Sequence, residues 1–200
     1  MGKNPGNLWK SECKFVAGAA TAEQIPNNLF LSEVAFVGRS NVGKSSLLNA
    51  LVGQNCARVS KQPGRTQQIN FFSLADKIML VDLPGYGYAA VSKQTRQVWD
   101  HLILHYLQTE KNLKRVFLLI DVRRGIKDND LEVINLLDAI GVVYQFVLTK
   151  IDKEKKYQDV LENIQNFAAS RPSAFPEVIC TSSEKGLGIP ALKATITELC

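Results

Sequence analysis

The sequence predicts an α/β fold: a three-layer αβα sandwich on a mixed six-stranded sheet, mostly parallel with one antiparallel strand. Short runs of β-branched and aromatic residues alternate with longer segments of helical periodicity, as expected of a parallel sheet covered by helices. Two of the runs are joined only by Ala75, Asp76 and Lys77, too few residues for a helical crossover, so they must pair as an antiparallel hairpin. A glycine-rich loop separates the first run from the first helical segment, a connection that places backbone N–H groups at the edge of the sheet.

In chain order, the strands are expected at residues 34–37, 69–74, 78–81, 116–120, 142–148 and 178–180, where apolar β-formers cluster between turn residues. Helices are expected at 44–52, ended by Gly53, at 95–109, at 128–140, ended by Gly141, at 154–170 and at 190–199. In the third of these, Leu131, Ile134 and Leu137 recur at helical spacing. No repeat, low-complexity tract or linker divides the chain. The first 14 residues are read as a flexible N-terminal segment, and 15–200 as a single domain.

Composition narrows the class. The chain has 200 residues, 46% of them hydrophobic, enough to bury the core of one domain. Its net charge of +5 biases the surface toward polyanions without identifying one. Cys13, Cys56, Cys180 and Cys200 are far apart and form neither a zinc pattern nor a disulfide framework. With no apolar run of bilayer length and no secretory h-region, a cytoplasmic protein without membrane contact is expected, and a monomer.

The chemistry is carried by five segments. Gly38-Arg39-Ser40-Asn41-Val42-Gly43-Lys44-Ser45 follows the first strand and opens the first helix, the context of a phosphate-binding P-loop. Its glycines let N–H groups wrap phosphates, Lys44 reaches the β- and γ-phosphates, and Ser45 ligates magnesium. A mere glycine turn would not demand Lys-Ser after the second glycine. Asp82-Leu83-Pro84-Gly85 ends a strand; Asp82 can hold the magnesium through water and the Gly85 N–H can approach the γ-phosphate with no Cβ in the way. Between them lies Gly64-Arg65-Thr66-Gln67-Gln68, in which Thr66 can offer its hydroxyl to magnesium and its N–H to the γ-phosphate.

Base choice falls to Thr149-Lys150-Ile151-Asp152, at the end of the 142–148 strand. The Asp152 carboxylate can accept both the N1 imino and the N2 amino donors of guanine. Adenine lacks that pair and would leave the carboxylate unpaired, so GTP is favoured over ATP. Lys150 can lay its stem along the purine, and Thr181-Ser182-Ser183 can present a backbone N–H to the guanine O6.

Together, GRSNVGKS, GRTQQ, DLPGYGYA, TKID and TSSEKG resemble the EngB family of bacterial GTPases, from about Phe15 to the C-terminus. Thr149 replaces the usual asparagine of the base motif, a replacement the family shares. The resemblance implies a GTPase that assists assembly of the large ribosomal subunit, contacts its rRNA and ribosomal proteins, and supports cell division and septation. It also implies that Asn41 can help seat a potassium ion beside the phosphates, so Lys44, Thr66, Gly85 and Asn41 are the expected catalytic group. Tyr86 follows Gly85 where many small GTPases have a water-orienting glutamine, and one hydroxyl cannot replace an amide's paired donor and acceptor. Slow intrinsic turnover is therefore expected.

Other features have plainer readings. His101 and His105 are four apart on a helix but lack the glutamate and third ligand of a zinc site. Arg123, Arg124 and Lys127, and Lys153, Lys155 and Lys156, form short basic runs that are either solvated surface or contacts to ribosomal RNA. A phosphate-transferring metabolic kinase would need a second substrate pocket, and a filament-forming or membrane-remodelling GTPase would need stalks or anchors. Neither is visible.

Overall fold

A computed structural model describes residues 8–27, 31–57, 68–87 and 93–200, with backbone alone for 93–100. The strands are β1 (Cys13–Ala19), β2 (Ser32–Gly38), β3 (Ile69–Leu74), β4 (Ile78–Asp82), β5 (Leu113–Asp121), β6 (Tyr144–Thr149) and β7 (Ile179–Cys180). The helices are α1 (Lys44–Val52), α2 (Lys93–Thr109), α3 (Asp128–Ala139), α4 (Tyr157–Ala169) and α5 (Ile189–Glu198).

All seven strands form one sheet in the order β1-β3-β4-β2-β5-β6-β7. β3 runs antiparallel to both of its neighbours, while β2, β4, β5, β6 and β7 are mutually parallel. The expected single antiparallel strand is thus β3. The count of six is corrected to seven by β1, which adds to β3 at the edge with a bulge between Phe15 and Ala17. Its residues, CKFVAGA, give little apolar alternation, and Phe15 and Val16 remain exposed. Backbone pairing rather than burial holds this strand, so its sequence signal is weak.

The central strands are apolar on both sides because both faces are covered, and alternate residues serve different layers. Val34 and Phe36 of β2, Ile78 and Leu80 of β4, and Phe117 and Leu119 of β5 meet Leu47, Leu51, Leu192 and Ile196 of α1 and α5. Ala35 and Val37, Met79 and Val81, and Leu118 and Ile120 face Leu102, Tyr106, Ile134, Leu137 and Ile164 of α2, α3 and α4. Burying a side chain of this size is worth about 1.5–3 kcal/mol, so each face is an apolar core of its own.

The described part of the N-terminal segment packs against the first of these faces rather than hanging free. Leu8 is buried in a 3-10 turn, Leu8–Lys10, and the Trp9 indole N–H donates to Thr197 Oγ1 at 3.0 Å. Among the boundaries that differ from expectation, two have a clear local cause. β6 starts at Tyr144, because the Val142 N–H goes to Leu137 O as α3 ends. α4 starts at Tyr157, because Ile151–Lys153 forms its own 3-10 turn. One glycine is sterically obligatory: a Cβ on Gly188 would lie 1.8 Å from Cys180 O, where the turn before α5 crosses β7.

Candidate nucleotide-binding site

The carboxyl ends of β2, β4, β5 and β6 converge on one edge, where the chain leaves β2 for one face and β5 for the other. Gly43 takes the left-handed conformation (φ 108°) as N-cap of α1, and Asn41 does the same at φ 64°. These turns bring the N-terminus of α1, with Lys44 and Ser45, to face the end of β4.

There the Lys44 ammonium contacts the Asp82 carboxylate, both nearly buried. Each charge is the complement of one component of a magnesium triphosphate: the cation suits phosphate oxygens, the hard carboxylate suits magnesium. The segment following Asp82 lies along the P-loop, with the Leu83 N–H donating to Phe36 O, Tyr86 N–H to Gly38 O, and Ser40 N–H to Tyr86 O. A Cβ on Gly85 would sit in van der Waals contact, 3.4 Å, with Gly38 O and with Ser40 N, so this segment lies close against the P-loop backbone, and its lack of a side chain leaves the Gly85 N–H unobstructed.

Tyr86 turns away from that position. Its hydroxyl donates to Asp130 Oδ1 at 2.6 Å, and Asp130 Oδ2 accepts the Lys127 N–H that starts α3. Burial, then the neighbouring Asp130 charge, push the phenol far above its ordinary value. It is a fixed hydrogen-bond donor, not a group positioned to handle a water at the phosphate.

Thr149 stands at the asparagine position of the base motif and substitutes for it structurally. Its Oγ1 donates to Val42 O at 2.8 Å and approaches Ile120 O at 3.3 Å, tying the base motif to the P-loop. Lys150, itself at φ 61°, donates from Nζ to Asn41 O at 2.6 Å and to Asp121 Oδ2 at 2.8 Å. Its stem passes over Gly43, where a Cβ would be 3.5 Å from Lys150 Cε. Asp121 is a participant that motif reading missed. Burial opposes its charge, but hydrogen bonds from Arg123 and Lys150 outweigh that and hold its carboxyl well below the usual range. A carboxylate closing the apolar run VFLLID was the signal available in sequence.

Asp152 lies in the 3-10 turn with its Oδ2 buried and without a hydrogen bond; the Lys153 ammonium is 3.1 Å away but not aligned to donate. A hydrogen bond from Ser182, then help from Lys153, lowers the Asp152 pKa. An ionised, inward-facing oxygen of this kind needs donors, and the N1 and N2 groups of guanine supply two. In the TSS segment, the Thr181 N–H donates to Leu148 O and the Ser182 N–H to Leu187 O. The Thr181 and Ser182 N–H groups are therefore taken up by main-chain partners. Ile151 is buried beneath the turn.

Gln68 turns its amide toward Asn70 and lies against Gly18 of β1. Gly64, Arg65, Thr66 and Gln67 lie outside the described residues. A polar cavity of about 280 Å³ lined by Arg39, Asn41, Asp121, Arg124 and Lys150 opens beside the P-loop. A larger, mostly apolar cavity of about 410 Å³ lies behind Leu83 and Tyr86, against α2 and α3; with no lysine or arginine in its wall it is a poor place for phosphate. Among the described residues no three His, Cys, Asp or Glu side chains cluster to hold a metal, and His101 and His105 are exposed.

A phosphate cradle, a lysine–aspartate pair at its mouth and a buried carboxylate beyond it define a GTP-binding P-loop GTPase. Comparison with known proteins agrees. The family described as "50S ribosome-binding GTPase" matches residues 33–150. The probable GTP-binding protein EngB of Caulobacter vibrioides is 52% identical over 93% of this chain and 82% of its own, and that of Roseobacter denitrificans 48% over 96% and 90%. A crystal structure of a probable GTP-binding protein engB superposes with a TM-score of 0.68 at 26% identity, covering 84% of this chain and 98% of that one. A crystal structure of Aquifex aeolicus Era, as a point variant bound to GDP and aluminium fluoride, gives 0.69 at 26%, over 86% and 57%. The chain belongs to the EngB family.

Proposed function

We propose that the protein is a GTP-dependent switch in assembly of the large ribosomal subunit, and through it supports cell division and septation from the cytoplasm. The ribosomal part is supported by the matching family's description and by the EngB relatives. The observation that carries the switch is the hydrogen-bonded ladder joining the P-loop to residues 82–87. A γ-phosphate entering the cradle would meet the Gly85 main chain, so its presence or loss changes how that segment sits.

In this reading the residues 38–45 wrap the phosphates, and Lys44 exchanges Asp82 for β- and γ-phosphate oxygens. Ser45 and Asp82, with Thr66, would hold magnesium, which would supply charge neutralisation on the β- and γ-phosphates. The Gly85 N–H meets the γ-phosphate, Asp152 and Ser183 read guanine, and Lys150 covers the ring. Tyr86, held by Asp130, leaves the attacking water without an orienting side chain, which supports a low intrinsic rate. Useful turnover then needs something from outside, either a potassium ion beside Asn41 or a group from the ribosome.

Co-sedimentation with large ribosomal subunits in GTP-analogue, GDP and nucleotide-free states tests the proposal. Association at least tenfold tighter with the analogue than with GDP is expected. Equal association in all three states would refute the switch.

A further inference from the structure

Of the basic residues around the nucleotide edge, several are already neutralised. Arg123 pairs with Asp121, Lys150 with the same carboxylate, and Lys153 with Asp152 and Glu184. Arg39, Arg124 and Lys127 make no ion pair among the described residues, and all three line one open depression of about 510 Å³ beside the P-loop. Arg124 and Lys127 are exposed; the acidic side chains near them are Asp128 on the rim and, in the adjoining cavity, Asp130 and Asp121, the latter already taken by Arg123 and Lys150. Three uncompensated cations on one concave surface attract a polyanion with closely spaced charges.

The surface touches the switch segment. Arg39 main chain pairs with Tyr86, and its Nε lies 3.6 Å from where a Cβ on Gly87 would stand; Asn129 Nδ2 lies 2.9 Å from the same point. Gly87 is held at φ 77°, a conformation that favours glycine. Movement of residues 85–87 therefore displaces the Arg39 guanidinium from its rest against Gly87 and changes the spacing of the three cations.

We propose that Arg39, Arg124 and Lys127 form a docking surface for the phosphate backbone of ribosomal RNA, and that Gly87 makes its shape depend on the bound nucleotide. This rests on the ribosomal reading above. RNA is favoured over an acidic protein segment because a phosphate backbone presents closely and regularly spaced charges to three cations on one concave surface, and phosphate contacts of this kind are strongly salt-dependent.

The test measures binding to purified large subunits and to protein-free 23S rRNA across a salt series, with GTP analogue bound. The double variant Arg124→Glu/Lys127→Glu is compared with Lys77→Glu/Lys111→Glu, the same charge change at two exposed lysines elsewhere. The first pair should weaken binding to both probes at least tenfold more than the second. It should also flatten the plot of log affinity against log salt by about 1.5, at roughly 0.7–0.9 per lost phosphate contact, measured at saturating GTP analogue so that nucleotide occupancy is equal. In Arg39→Ala, the difference between analogue and GDP states should shrink. Equal losses in the two double variants would overturn the surface while leaving the ribosomal function standing. Loss with subunits but not with bare rRNA would assign the contact to a ribosomal protein and overturn the RNA assignment. Wild-type protein that binds neither probe in any state would sink the ribosomal reading and this surface with it.

Discussion

Asp152 and Glu33 are both carboxylates removed from water, with opposite consequences. Asp152 is kept ionised by Ser182 and Lys153, as recognition of the guanine edge requires. Glu33, fully buried at the far end of β2, accepts a hydrogen bond from Tyr106 Oη at 2.8 Å, while its Oε1 has no partner. Burial raises its pKa from 4.5 to about 7; the Tyr106 hydrogen bond opposes the rise and the Glu110 charge adds to it. Because the folded pKa is the higher one, the protein is fully stabilised below about pH 4.5 with respect to this group, and loses stability as pH rises through 7. Glu33→Gln removes the titration. In urea denaturation the variant should gain on the parent by up to about 3 kcal/mol between pH 5 and pH 8.5; a difference independent of pH would contradict the assignment.

At the scale of elements, the P-loop and the segment after β4 act as one unit. Asn41 is the outermost residue of that unit: it is exposed, and its carbonyl oxygen is occupied by Lys150 while its side chain remains available. If it seats potassium beside the phosphates, GTP turnover in KCl should exceed that in NaCl at equal ionic strength by roughly tenfold or more, about 1.4 kcal/mol of barrier. Asn41→Ala should erase the difference, and equal rates in the two salts for the parent would remove potassium from the mechanism. These elements were readable in advance because each depends on residue types with restricted uses: glycine at positive φ, lysine and serine at a helix N-terminus, aspartate at a strand end. β1 was not readable, since an edge strand needs only backbone pairing and its exposed Phe15 and Val16 break the alternation. The Thr149 hydroxyl to Val42 O and the Tyr86–Asp130 hydrogen bond were also hidden, because both partners are distant in sequence and neither forms a local pattern.

For the whole molecule, two apolar layers clamp a mostly parallel sheet and leave one edge to carry every charged group of the site. Among the described residues no helix is long and apolar enough to cross a membrane, and the long-range hydrogen bonds at the edge join β4, β5 and β6 to the P-loop. The resulting claim is specific: the base is chosen by one carboxylate on a rigid turn. Fluorescent mant-GTP and mant-ATP titrations of the parent and of Asp152→Asn test it most directly, with XTP, whose base carries an oxygen in place of the guanine 2-amino group, as competitor. GTP should bind the parent at least a hundredfold more tightly than ATP, about 2.7 kcal/mol, and Asp152→Asn should lose GTP and gain XTP, because its amide can donate where the carboxylate only accepted. Comparable affinity of the parent for GTP and ATP, or an Asp152→Asn variant that still prefers GTP, would contradict the account.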